Sequence, residues 1–149
     1  MISRMRNDPD FLEFLWLWNQ RNAQDTPAIH RRIARWLMAR RDAGDRRLLL
    51  MAFRGCGKST LIGLWCAWLL LRNPSTRILV VAADAPLATR MVATVRRILE
   101  SHPLCAELLP DVPENWAADR FTVARPGALR DPSMLAQAYP AISPVPAPM

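Results

Sequence analysis

Residues 48–60 read LLLMAFRGCGKST, from Leu48 to Thr60. A continuous apolar run, Leu48–Phe53, enters a glycine-rich turn and leaves it through Lys58, Ser59 and Thr60. An uninterrupted run of that kind is expected of a strand buried on both faces of a parallel sheet. Gly55 and Gly57 are free to take up positive φ, and successive backbone N–H groups leading into a helix N-terminus cradle phosphates. The pattern is that of a P-loop, whose strict form is G-x-x-x-x-G-K-[ST]; Ala52 stands where the first glycine of that form would be. Lys58 is the single lysine of the chain, every other basic residue being arginine. An ammonium on a flexible stem reaches the β- and γ-phosphates from within the loop, whereas a planar guanidinium has a different donor geometry. Ser59 supplies a hydroxyl for Mg²⁺ beside a nucleotide. Cys56 reads as a spacer between the two glycines, although a helix N-terminus and a nearby lysine are the surroundings that lower a thiol pKa.

Upstream of the loop, Pro9–Gln20 and Ala28–Ala43 are predicted helices, the second with Ile29, Ile33, Trp36 and Leu37 at helical spacing among arginines. Trp16, Trp18 and Trp36 read as core residues of these helices, the alternative being stacking on bases or adenine. Downstream, Ser59–Arg72 is a strongly apolar helix stopped at Asn73-Pro74, where the pre-proline restriction and the missing N–H end helical growth. Thr76–Ala83 is β-branched and reads as a strand. Asp84 is placed to cap a helix over Pro86–Ser101. Strand, loop, helix, strand, helix predicts parallel βαβ units. Beyond His102 the pattern weakens, with Arg120–Ala124 as one further candidate strand. Pro140–Met149 holds four of the thirteen prolines and no charge, which predicts an extended tail. The organisation expected is a helical segment over 1–45, a P-loop core over 46–136 and a proline-rich tail over 137–149.

At 149 residues the chain is the size of one domain. Its longest apolar stretches, Phe11–Trp18 and Leu61–Leu71, fall well short of the ~20 residues needed to cross a bilayer. The N-terminus carries no export pattern, so a cytoplasmic setting without membrane partners is expected. Three cysteines without paired spacing do not make a disulfide framework, and His102 with Cys105 lacks the further ligands of a zinc site. The net charge of +7 suits a polyanionic partner such as double-stranded DNA.

LLLMAFRGCGKST resembles the P-loop of the large terminase subunits of tailed bacteriophages, which package DNA into empty capsids. That loop often departs from the strict first glycine and carries an arginine before G-x-G-K-S/T. RILVVAADAPLATRMVATVRRILESHP (Arg77–Pro103) is similar to the family's second strand and following helix, and NWAADRFTVARPGALRDPSMLA (Asn115–Ala136) to the segment that approaches its acidic ATPase motif. The resemblance implies an α/β P-loop NTPase domain with a mostly parallel sheet flanked by helices. It implies ATP and Mg²⁺ as ligands, with Arg54, Gly55, Cys56, Gly57, Lys58, Ser59 and Thr60 around the nucleotide. Lys58 and Arg54 would act as catalytic charge stabilisers and Ser59 as the metal ligand. It implies double-stranded DNA, a small terminase subunit and a portal protein as partners, and a homo-oligomeric ring.

Hydrolysis needs a second acidic element at the end of an apolar strand. The only lookalike, ILVVAAD ending at Asp84, lies on the strand directly after the loop helix, where helix capping is the stronger reading. After Ala136 the sequence turns to QAYPAISPVPAPM and supplies no such element. The chain therefore reads as the ATP-binding part of a terminase ATPase, shortened or out of frame near Ala136, without the acidic motif or a nuclease. Two other readings stand beside it. One is a small P-loop NTPase or kinase using Asp84; the other is a non-enzymatic DNA- or partner-binding remnant using the arginine-rich helix Ala28–Ala43.

Overall fold

The computed structural model describes residues 8–112, 115–127 and 130–139. The proline-rich tail expected over 140–149 lies outside them. The chain forms α1 (Phe11–Arg21), α2 (Ala28–Asp42), α3 (Lys58–Arg72), β1 (Ile78–Ala82), α4 (Ala85–Ser101), β2 (Arg120–Phe121) and β3 (Met134–Ala138), with a short 3₁₀ turn at Ala106–Leu108. It is an α/β protein with one three-stranded mixed sheet in the order β1-β3-β2.

Local chemistry sets the helix ends. Asp10 and Glu13 form a reciprocal capping box at the start of α1, each carboxylate accepting from the other's backbone N–H. Asp84 Oδ1 accepts from Leu87 N–H at 2.9 Å and caps α4, whose first turn holds Pro86. α3 stops at Asn73, ahead of Pro74.

The core lies between α3 and its neighbours. α3 buries Leu61, Leu64, Cys66, Ala67, Trp68 and Leu70, and it packs on α1 and α4. Gly63 permits the close approach to α4: a Cβ there would meet Ile98 Cδ1 at 3.2 Å and Thr94 Cγ2 at 3.3 Å. α4 turns Val92, Val95, Ile98 and Leu99 inward and also covers β1 and β3. Burying each such side chain contributes about 2 kcal/mol through apolar area removed from water.

The N-terminal helices are fastened to this core by polar and aromatic contacts. Trp68 Nε1 donates to the Pro9 carbonyl at 2.9 Å, and the guanidinium carbons of Arg41 and Arg72 each sit 5.4 Å from the Trp68 ring centroid. The His102 ring stacks on Phe14 with centroids 3.7 Å apart. Its Nδ1 accepts from Leu104 N–H, so Nε2 carries the proton and donates to the Phe14 carbonyl at 2.9 Å. Burial holds the His102 pKa below its usual value. Burial likewise raises the thiols of Cys66, to about 11, and Cys105, to about 12. All three cysteines are free.

Four sequence expectations need correction. Residues 48–53, read as the buried strand before the loop, form no strand: Leu49 is 77%, Met51 83% and Phe53 64% exposed. A strand exists only through a hydrogen-bonded neighbour; among the described residues none pairs with this run, and Leu50 alone of it packs against the core. The sheet is mixed rather than mostly parallel: β1 and β3 are parallel, from Ile78↔Met134 to Ala82↔Ala138, while β2 runs antiparallel to β3. The strand expected over 120–124 is confined to Arg120 and Phe121. Trp16, expected in the core, is 54% exposed.

β3 has the opposite history. Its sequence, MLAQA, is made of residues more at home in helices, and its strand form comes from pairing with β1 and from burial of Met134. It reaches Ala138, and Tyr139 N–H continues the contact to the Ala82 carbonyl.

Candidate phosphate-binding site

The site is the turn at residues 54–57 and the first turn of α3. Gly55 and Gly57 both adopt left-handed backbone, with φ of +82° and +78°, on either side of Cys56. Turns with left-handed residues can gather backbone N–H groups around an anion; here the Cys56 N–H donates to the Phe53 carbonyl at 3.4 Å. Gly57 is also the N-cap of α3. The first intrahelical bond runs from Leu61 N–H to the Gly57 carbonyl at 3.0 Å. The N–H groups of Lys58, Ser59 and Thr60 therefore have no acceptor within the helix, and the helix dipole adds partial positive charge there.

The side chains complete a cationic rim. Lys58 folds back across the loop, its Nζ donating to the Ala52 carbonyl at 3.2 Å. Ala52, at the position of the missing first glycine, thus takes part through its backbone, which any residue type supplies. Arg54, Gly55, Ser59 and Thr60 are exposed, Lys58 is half-buried and Cys56 is buried. A Cβ at Gly55 would meet nothing within 4 Å, so the turn is open on that side. The structure brings together all seven residues selected from the sequence, since they are consecutive. The donor set of unpaired N–H groups, one ammonium and one guanidinium fits a phosphate chain, and the Ser59 hydroxyl fits a hard divalent cation beside it.

Sequence reasoning passed over His30. Its Nε2 lies 2.6 Å from the Cys56 carbonyl oxygen, joining α2 to the loop across 26 positions of sequence. The available signal was helical spacing: His30 stands three, four and seven positions before the buried Ile33, Ala34 and Leu37, on the inward stripe of α2.

Beside the loop, residues 50–53 and α2 enclose a cleft of about 450 Å³, lined by Ile29, Arg32, Ile33, Trp36 and Phe53 among others. Asp84 does not contribute to the loop; its carboxylate is engaged in capping α4. No helix among the described residues is long and apolar enough to cross a membrane.

This geometry, a glycine turn leading into a helix N-terminus, suits an anion. Residues 49–120, which contain the loop, α3, β1 and α4, match the family model for the helicase domain of the RNA cytidine acetyltransferase NAT10/TcmA. The particular relative is viral. Over 115 residues the chain is 29% identical to the terminase large subunit of Enterobacteria phage T3, an alignment covering 76% of this chain and 19% of that protein. The resemblance to terminase large subunits read from the loop and the segments after it thus has an alignment behind it. The chain spans about a fifth of the length of this curated relative.

Proposed function

We propose that the chain is the ATP-binding part of a terminase-type ATPase, which in the complete machine drives double-stranded DNA into a procapsid. The observation that carries this reading is the left-handed turn at Gly55 and Gly57 leading into the N–H groups of Lys58, Ser59 and Thr60, which have no acceptor within the helix, with the Lys58 ammonium folded back to the Ala52 carbonyl. In this reading the loop N–H groups bind the β- and γ-phosphates, and Lys58 moves from the Ala52 carbonyl onto the phosphate oxygens. Arg54, exposed at the mouth of the loop, offsets negative charge on the γ-phosphate. The Ser59 hydroxyl would hold Mg²⁺. Bound Mg²⁺ would neutralise charge on the phosphate oxygens. The similarity to the phage T3 terminase large subunit supports double-stranded DNA as the polymer and, by extension, a small terminase subunit, a portal ring, a homo-oligomeric state and the host cytoplasm as the setting.

Hydrolysis by this chain alone is proposed to be slow. β3 runs parallel to β1, and the residues at its C-terminal end are Gln137, Ala138 and Tyr139, with no carboxylate to orient water. Asp84, just past the C-terminal end of β1, is engaged in capping α4. The engagement of Asp84 also weighs against a small kinase that would use it as catalytic carboxylate.

Titrating the chain with a fluorescent ATP analogue in the presence of Mg²⁺ tests the proposal. Saturable binding is expected, and Lys58→Ala should abolish it; equal binding by both chains would sink the reading. Steady-state ATP turnover near one per second, the low end for complete enzymes, would overturn the slow-hydrolysis part. One further reading has an observation of its own. Arg31, Arg32, Arg35, Arg40 and Arg41 are exposed along α2, and salt-sensitive DNA binding that survives Lys58→Ala would favour a DNA-binding role for that helix.

A further inference from the structure

His30 does more than fill space beside the loop. A carbonyl oxygen only accepts, so at 2.6 Å from the Cys56 oxygen the Nε2 of His30 carries a proton and donates it. The Cys56–Gly57 peptide is trans, as are all the described peptide bonds. In a planar trans peptide the C=O and N–H point in opposite directions. Fixing the Cys56 carbonyl toward α2 therefore directs the Gly57 N–H away from α2. Without the imidazole this peptide, which leads into a glycine with φ of +78°, is free to turn over.

The ring also sets the residue type at position 57. A Cβ there would lie 2.9 Å from His30 Nε2 and 3.0 Å from Cε1, whereas at Gly55, with a similar φ, it would meet nothing. Gly57 thus meets two demands, left-handed backbone and close approach of a ring from another helix. The ring in turn is held by α2, whose Ile33, Ala34 and Leu37 are buried in the core.

We propose that His30 is a positioning residue for the phosphate loop: its Nε2–H locks the Cys56–Gly57 peptide in the orientation that presents the Gly57 N–H to a phosphate, and so couples the N-terminal helical segment to nucleotide affinity. The inference rests on the ATP-binding reading above. It predicts that affinity depends on a donor at position 30 and not on an aromatic or a charge.

The test uses the whole chain and a fluorescent ATP analogue with Mg²⁺. His30→Leu keeps apolar bulk without a donor, and His30→Gln keeps an N–H at a similar reach. Loss of one hydrogen bond that orders the loop should weaken binding about tenfold in His30→Leu, with His30→Gln within about threefold of the native chain. Melting temperatures without nucleotide should stay close together for all three, and amide NMR signals of residues 55–58 should shift in His30→Leu and return toward native positions in His30→Gln. Native affinity in His30→Leu overturns the inference alone, as does equal weakening in both variants. A nucleotide-free melting temperature for His30→Leu far below that of His30→Gln assigns the contact to the fold and also overturns it. If the native chain binds no more analogue than Lys58→Ala, the nucleotide reading fails and this inference fails with it.

Discussion

Two apolar runs of similar length, residues 48–53 and residues 78–82, look alike in sequence and differ in the folded chain. The second is β1: it pairs along its whole length with β3 and turns Ile78 and Val80 toward the core. The first runs unpaired into the glycine loop with Leu48, Leu49, Met51 and Phe53 exposed. Apolar composition reports what a segment would gain by burial; the partner that realises the gain lies elsewhere in the chain. α4 and β3 provide it for β1, and no described element provides it for residues 48–53. One consequence is a contrast in packing, with buried apolar side chains concentrated around α3 and α4, while the candidate phosphate-binding loop follows an exposed run.

The contrast breaks most readily on its stable side. Leu99 is fully buried in α4 within the core cluster, so Leu99→Ala should cost about 3 kcal/mol from lost transfer energy and the cavity left behind. Urea unfolding measures this. A cost below about 1 kcal/mol, typical of poorly packed sites, would show that the core is not where the structure puts it.

The loop is the next place to press. Gly57→Ala should cost about 2 kcal/mol through a left-handed backbone forced on alanine, and it should weaken nucleotide binding. Gly55→Ala shares the positive φ without the contact to His30. The difference between the two variants isolates the crowding by His30, and equal losses would remove that contribution.

How much of this was legible in the sequence divides along the same line. α1, α2, α3 and α4 fall within two residues of their predicted limits, because helical periodicity, the cap at Asp84 and the breaker at Asn73-Pro74 are local signals. The turn at Gly55 and Gly57 and the start of α3 after it were legible because glycines ahead of a helix answer to local geometry. The sheet was legible only in part: β1 falls within the strand expected over Thr76–Ala83, whereas β3 and residues 48–53 are decided by pairing across long stretches of chain, which composition does not encode. His30 was hidden for a related reason, since the carbonyl it meets belongs to a residue 26 positions away.

Asp84 offers a sharper, smaller test. As an N-cap its replacement by alanine should cost about 1 kcal/mol while leaving affinity for the ATP analogue unchanged. Loss of affinity with an intact fold would move Asp84 from the end of α4 to the nucleotide and revive the kinase-like reading.

The smallest effect belongs to the run that started the comparison. Met51 is 83% exposed, and a side chain that gains nothing from burial loses nothing when replaced. Met51→Ser should therefore change unfolding free energy by less than about 0.5 kcal/mol while reducing self-association, because exposed neighbouring apolar side chains invite contact between copies. Both can be read from urea unfolding at two protein concentrations. A concentration-independent loss of about 2 kcal/mol, the worth of a buried apolar side chain, would mean that residues 48–53 find a partner within the chain in solution. The two apolar runs would then be equivalent strands, and the contrast between them would collapse.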